Sequence, residues 1–421
     1  MSTRLVPSHA ARESGAVRAL SALGRRALLG RLRALEHGEL TITEGRTRHV
    51  FGARAADGLR ATIEVRDPQF WADAAFGGTV GAGESYIRGA WSSEDLTALV
   101  RLMVRNRATM SALEGGLARL TAPASRALHW LARNTRAGSR RNIAAHYDLG
   151  NDFFRLMLDE TMAYSCAIYA SPETSLHAAQ LAKFDAVCRK LDLKPGEHLL
   201  EIGTGWGGLA LHAARHYGCR VTTTTISGEQ HAYAGEAFRR AGLEGTITLL
   251  KEDYRDLTGR FDKLVSIEMI EAVGHRYLDE YFGCCSRLLA ADGAMLVQAI
   301  TIQDQLYEQA LRAVDFIQRF VFPGGFLPAV STMLESIRRA TDLKLFHLAD
   351  IGPHYATTLA DWRRNFHAQL GAVRALGYPD TFVRLWDYYL SYCEGGFIER
   401  QIGDVQMLLT KPGCRRASLP A

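Results

Sequence analysis

The second half of the chain alternates short apolar runs with amphipathic stretches. "HLLEIG" (198–203) reads as a buried strand, and "LALHAARHYG" (209–218) as a helix closed by Gly218. "RVTTTTIS" predicts a strand, "GEQHAYAGEAFRRAG" a helix, "ITLLKED" a strand, and "FDKLVSIEMI" a strand ending in acidic residues. "YLDEYFGCCSRLLAADG" predicts a helix with a turn, and "AMLVQAI" a further strand. That succession predicts an α/β fold with a doubly wound, mostly parallel sheet.

The first part of the chain has a different pattern. Residues 16–38 place Leu20, Leu23, Leu28, Leu32 and Leu35 at helical spacings with Arg between them, a basic amphipathic helix. "GELTITEG" and "LRATIEVRD" alternate as short strands, and "SSEDLTALVRLMVRN" opens with capping residues and continues as a helix. This predicts a smaller N-terminal α/β domain over 1–120, its basic helix suited to a lipid or membrane surface. The polar, basic segment around "RAGSRRNIAAH" predicts a linker over 121–144, with the second domain over 145–421.

Composition supports two globular domains: 421 residues, 47% hydrophobic and 23% charged, leave ample material for a core. No run of residues is long and apolar enough for a membrane span. The polar start "MSTRLVPSHAARESG" has no apolar core of a secretory signal, which points to the cytoplasm. The seven cysteines form no CxxC pair, so neither a disulfide framework nor a zinc site is expected. Charge is uneven. Residues 101–141 hold nine Arg against Glu114, and 1–36 hold seven Arg against two Glu. Such a basic face suits a polyanion, either nucleic acid or an anionic membrane surface.

The candidate chemistry starts at "EIGTGWGG". Gly203, Gly205 and Gly208 fit GxGxxG between a strand and a helix, which serves dinucleotides and other adenosyl cofactors alike. A dinucleotide site wants a carboxylate about 20 residues on, and "TTTTIS" ends the next strand without one. Glu201 instead precedes the first glycine, as in E/D-x-G-x-G-x-G sites for S-adenosylmethionine (SAM). A carboxylate and carbonyl oxygens suit a sulfonium.

Several blocks in order then carry a resemblance: "HYDLGNDFFRLMLDETMAYSCAIY", "LEIGTGWGGLA", "TTISGEQ", "EMIEAVGHRYLDEYF", "FIQRFVFPGGFLP" and "YYLSYCEGGF". The chain resembles the cyclopropane-fatty-acyl-phospholipid synthase family of SAM-dependent methyltransferases. The resemblance is dense over 145–410. It implies a seven-stranded Rossmann-like sheet and methyl(ene) transfer from SAM to the cis double bond of a phospholipid acyl chain. The cofactor site would hold Tyr147, Tyr164, Ser165, Glu201, Gly203, Thr204, Gly205, Trp206, Gly207, Thr225, Gln230, Asp253 and Tyr254. Family members hold a bicarbonate beside the transferring methyl. The matching ligand positions are Cys166, Glu271, Gln298, Ile300 and Tyr355, and the family's reactive cysteine matches Cys393. The resemblance also implies a homodimer and a protein peripheral on the inner membrane surface.

Two positions depart from the more familiar bacterial pattern. "EAVG" stands in place of "EHVG", and Gln298 in place of His. They match a second branch, which includes plant-type enzymes and bacterial enzymes making methyl-branched fatty acids. Ring closure and methyl branching therefore both stay open.

The chemistry demands a dry pocket, because attack by an alkene on a SAM methyl leaves a carbocation that water would trap. A base and π-rich walls are needed as well. Phe316, Phe320, Phe322 and Tyr355 are candidates for those walls. No base neighbours Cys166 in sequence, so it is expected to act through its backbone or a weak S–H contact, not as a nucleophile. Two rival readings are a non-catalytic SAM- or lipid-binding protein and a nucleic-acid methyltransferase. The amino-methylating [DN]PP[YF] motif is absent where "SIEMIEAVG" stands.

Overall fold

The structure, a computed structural model, describes residues 15–107 and 149–418. Tyr147, the expected linker and most of the arginine-rich stretch lie outside the described residues. The described chain forms two compact units. The first comprises 15–107 together with 313–323 and 370–399, so two segments from late in the chain belong to the N-terminal unit. The second comprises 149–312, 324–369 and 400–418.

In the first unit, β1 (Gly38–Glu44) pairs antiparallel with β2 (Thr47–Ala53) and parallel with β3 (Arg60–Val65). With β4 (Trp91–Ser92) the order is β2-β1-β3-β4. The helix Gly15–Leu32 packs on the helix Gln69–Ile87. A Cβ on Gly24 would lie 2.4 Å from the Trp71 carbonyl oxygen, so only glycine admits this approach. The contact face therefore runs through Ser21, Gly24 and Leu28. Leu28, Leu32 and Leu35 are buried, but Leu20 and Leu23 stay about half exposed, outside the single leucine stripe expected from the sequence. Asp95 caps the helix Leu96–Arg105 by accepting from the Ala98 N–H, and Arg101 and Arg105 each donate to Glu399 at 2.7 Å.

The second unit is built on a seven-stranded sheet ordered β10-β11-β9-β8-β5-β6-β7. Its strands are β5 (His198–Ile202), β6 (Arg220–Thr224), β7 (Ile247–Leu250), β8 (Phe261–Ile267), β9 (Leu289–Ile302), β10 (Lys344–Asp350) and β11 (Ile402–Thr410). β5 to β9 run parallel, and β11 is antiparallel to both of its neighbours. Strand β9 begins at Leu289, where the sequence suggested a helix turn.

The period of two along each strand sorts side chains onto two faces. Leu200, Leu264, Met295, Val297, Met407 and Leu409 pack with the helices Leu278–Leu288 and Val330–Ala340. Leu199, Val265, Leu296 and Leu408 pack on the other face with the helices Leu176–Leu191, Gly208–Tyr217 and Gly228–Arg240. By the same alternation, Glu201, Gln298, Asp404 and Gln406 fall on that second face, and all four are buried. Each buried leucine of these layers contributes about 1.5–3 kcal/mol. A polar side chain in such a layer must find partners within it. Among the described residues no helix is long and apolar enough to cross a membrane.

Candidate active site

The glycine turn follows β5 and enters the helix Gly208–Tyr217. Gly203, Gly205 and Gly207 all have positive φ (102°, 52° and 92°). The N–H groups of Gly203 and Thr204 donate to the Thr224 carbonyl, pinning the turn to β6. A Cβ on Gly205 would meet no atom of the described residues within 4 Å, so among them the floor of the turn is uncovered. Glu201 accepts from Thr223 Oγ1 at 2.6 Å, and Thr223 pairs with Thr204 Oγ1 at 2.7 Å. Burial raises the Glu201 carboxyl to about 8, so at neutral pH it acts mainly as a neutral anchor of the loop.

Beyond β6, Thr225 Oγ1 donates to Gln230 Oε1 at 2.9 Å, which leaves the Gln230 NH2 as the end that can donate to a ligand. Asp253 caps the turn Tyr254–Asp256 and is paired with Arg255 through contacts of 2.8 and 2.6 Å. Tyr254 packs edge-on against Tyr281. An open glycine turn, an oriented amide and an acidic turn after β7 fit an adenosyl cofactor.

A row of aromatic rings leads away from the turn. Trp206 packs on Phe154 at 5.0 Å, Phe154 on Tyr164 at 5.2 Å, Tyr164 on Trp362 at 5.1 Å, and Trp362 on Tyr355 at 6.0 Å. Trp206 is held by its indole N–H donating to Asn151. Ser165, beside Tyr164, accepts from Lys183 Nζ at 2.7 Å. Lys183 is 1% exposed, and burial pushes its ammonium down while Glu268 pulls it back up.

At the end of the row Tyr355 meets a carboxylate that the sequence reading left out. Glu268 stands just past β8 at φ 47°, left-handed backbone that a non-glycine residue adopts at a cost of about 1–2 kcal/mol. Its carboxylate accepts three hydrogen bonds: from the Cys166 N–H at 2.8 Å, Gln298 Nε2 at 2.8 Å and Tyr355 Oη at 2.6 Å. Three donors on one carboxylate match its ionised form. Gln298 Nε2 also donates to Asp404 Oδ2 at 3.1 Å.

Glu271 accepts from the Ile300 N–H at 2.6 Å, and its second oxygen has no hydrogen-bond partner among the described residues. Burial, followed by repulsion from Glu268, raises it to about 8. Asp404 is pushed well above the usual carboxylate range, first by burial and then by Glu268. Glu268 thus gathers the donors, and the two carboxyls beside it, Glu271 and Asp404, are both raised. The Cys166 thiol is fully buried and burial pushes it up, so it stays protonated and faces carbonyl oxygens of Ala167 and Ile351.

Cys166, Glu271, Gln298, Ile300 and Tyr355 are thus brought together around Glu268. The expected bicarbonate does not fit this arrangement. The Cys166, Gln298 and Tyr355 donors are taken by Glu268, and the Ile300 N–H is taken by Glu271. An anion set among them would meet carboxylate oxygens. Cys393, Phe316, Phe320 and Phe322 lie in the first unit. There Phe316 packs on Tyr388 at 4.6 Å, Phe322 packs on Tyr389, and burial raises the Cys393 thiol. Besides Glu268, the sequence reading missed Lys183, Asp404 and Gln406. The signal was present: polar residues recurring every second position in the apolar run "DVQMLL".

Comparison with known proteins follows the same lines. The model of a family described as mycolic acid cyclopropane synthetase matches residues 134–407. The tuberculostearic acid methyltransferase UfaA1 of Mycobacterium tuberculosis is 37% identical over 80% of each chain. The cyclopropane-fatty-acyl-phospholipid synthase of Escherichia coli (strain K12) is 36% identical over 83% of this chain and 88% of its own. The crystal structure of the mycolic acid cyclopropane synthase CmaA1, complexed with SAH and CTAB, superposes with a TM-score of 0.61 at 32% identity. It covers 65% of this chain and 98% of that one.

Proposed function

This chain belongs to the mycolic acid cyclopropane synthetase family and is a SAM-dependent methyltransferase, and from that premise we propose that it adds a one-carbon unit to the cis double bond of an unsaturated phospholipid acyl chain. The observation that carries the reading is the convergence of three donors on Glu268 at the end of an aromatic row leading from the glycine turn.

When bound, SAM supplies an electrophilic methyl group. The alkene π electrons form the new carbon–carbon bond as the methyl's bond to sulfur breaks, the electron pair leaving with the sulfur as SAH, and a cation is left on the neighbouring carbon. Tyr164, Trp362 and Tyr355 offer π faces to that charge and keep water away. One C–H bond of the new methyl then breaks. Its electron pair closes the three-membered ring, and the proton passes to Glu268. Glu268 thereby takes the role that the resemblance gave to bicarbonate. Glu271 stays protonated, and the Cys166 thiol takes no part.

A second reading is favoured by the two departures at "EAVG" and Gln298 and by the relative named a methyltransferase. If a hydride first shifts from the methyl-bearing carbon to the neighbouring cationic carbon, the electrons left by the methyl proton form a C=C bond, and the product is a methylene branch, an isomer of the cyclopropane. A saturated methyl branch would need two further hydrogens from a reductant, and we do not assign that step to this chain.

The acyl chain lies in a bilayer. We assign surface contact to the helix Gly15–Leu32, where half-exposed Leu20 and Leu23 stand among exposed Arg18 and Arg26. The test is purified protein with SAM and one of three acceptors: monounsaturated phosphatidylglycerol vesicles, saturated vesicles, or RNA. Mass spectrometry should find one added CH2 in the unsaturated lipid alone, and NMR separates ring from branch. Methylated RNA, or no transfer to any acceptor, refutes the proposal.

A further inference from the structure

Behind Glu268 a line of amides runs along one face of the sheet. β9 and β11 pair Gln298 with Gln406, so both side chains stand on one face. Gln406 Nε2 donates to Gln298 Oε1 at 2.9 Å, and Gln406 Oε1 accepts from Lys190 Nζ at 2.7 Å. Both glutamines are fully buried, and Lys190 is half-buried near the end of the helix Leu176–Leu191.

A carboxamide has a donor end and an acceptor end, and only its neighbours decide which way it points. An ammonium can only donate. Gln406 must therefore turn its oxygen to Lys190 and its NH2 to Gln298. Gln298 must then give its oxygen to Gln406 and its NH2 to Glu268 and Asp404, as observed at 2.8 and 3.1 Å. While Glu268 is an anion, it favours the same orientation from the inner end. Once Glu268 has taken a proton, its O–H could donate to an amide oxygen just as well. Asp404, raised well above the usual range, could do the same. At that moment Lys190 is the member of the line that still discriminates.

We propose that Lys190 is a positioning residue for the base: through Gln406 and Gln298 it keeps the Gln298 NH2 on Glu268 throughout turnover. The inference deepens the reading of Glu268 as base and rests on it.

The test compares K190R, K190M and K190E, using SAM and monounsaturated phosphatidylglycerol vesicles. kcat, KM for SAM and the unfolding temperature are measured for each, with E268Q alongside. K190R keeps a donor-only end and should restore kcat to within about twofold of the natural protein. K190M leaves the line unanchored and should lose roughly two- to tenfold. K190E imposes an acceptor, reverses both amides and turns the Gln298 oxygen on Glu268. It should lose roughly ten- to a hundredfold in kcat, with KM for SAM unchanged. Equal kcat across the three variants, or losses that track unfolding temperature alone, overturns the positioning role. If E268Q is inactive while the Lys190 series is flat, only this inference falls. A fully active E268Q refutes the base reading itself.

Discussion

Replacing Glu268 by glycine separates the base from its donors. Glu268 has φ 47°, a conformation glycine adopts freely, so E268G recovers about 1 kcal/mol of backbone strain. Against this, the Cys166 N–H, the Gln298 NH2 and the Tyr355 hydroxyl lose their common acceptor. Each buried donor left unpaired costs about 1–3 kcal/mol, so in plain buffer E268G should be destabilised by a few kcal/mol. Methyl transfer should fall by roughly 10²–10⁴-fold, the usual contribution of a positioned base. The three donors then surround a space suited to a small planar oxyanion. Added bicarbonate should therefore raise the unfolding temperature of E268G and restore part of its activity, while leaving the natural protein unchanged. The assay is turnover on unsaturated vesicles in bicarbonate-depleted buffer, with and without added bicarbonate, paired with thermal unfolding. Full E268G activity without bicarbonate, or equal stimulation of both proteins, would refute the reasoning.

Further outcomes are expected elsewhere. Glu271 rises from 4.5 to about 8 on folding, so the folded chain holds a proton that the unfolded chain releases between those values. This group lowers stability by up to about 1.4 kcal/mol per pH unit through that window and levels off above pH 8; E271Q should remove that share of the slope in denaturant titrations and leave the same-signed share of Glu201. Cys166→Ala leaves the backbone N–H in place, so it should cost about 1 kcal/mol of stability and keep turnover within about tenfold. Complete loss of activity in a folded, SAM-binding C166A would contradict this. Vesicle binding should prefer anionic lipid and weaken with salt, at about 1 kcal/mol per basic residue engaged; co-sedimentation that is indifferent to salt would count against it.

Much of the second unit was legible in the sequence, because strands and helices there alternate with clean periods and a glycine turn marks the first crossover. The discontinuous first unit was not legible. Segments 313–323 and 370–399 join it through contacts such as Arg101 and Arg105 on Glu399, and Phe316 on Tyr388, which no local pattern encodes. The sequence placed Leu20 and Leu23 in one amphipathic stripe with Leu28, Leu32 and Leu35; the close approach at Gly24 turns the last three inward and leaves the first two half exposed. At the site, Glu268 lay in plain view in "SIEMIEAVG", but Glu271 matched the family motif and drew the assignment. What distinguishes Glu268 is a left-handed backbone and three donors from distant segments, and neither is visible in one dimension. Asp404 and Gln406 were hidden for a related reason: a polar residue within an apolar strand is meaningful only once its neighbour across the sheet, here Gln298, is known.

The central claim is that a proton leaves the transferred carbon and is taken by a protein carboxylate. It is tested most directly by giving the enzyme SAM with a fully deuterated methyl group, together with monounsaturated vesicles, in buffer freed of bicarbonate. Mass spectrometry of the lipid should find two deuterium atoms retained on the added carbon, at a rate that added bicarbonate does not change. Retention of all three deuterium atoms, or turnover that stops without bicarbonate, would contradict the account.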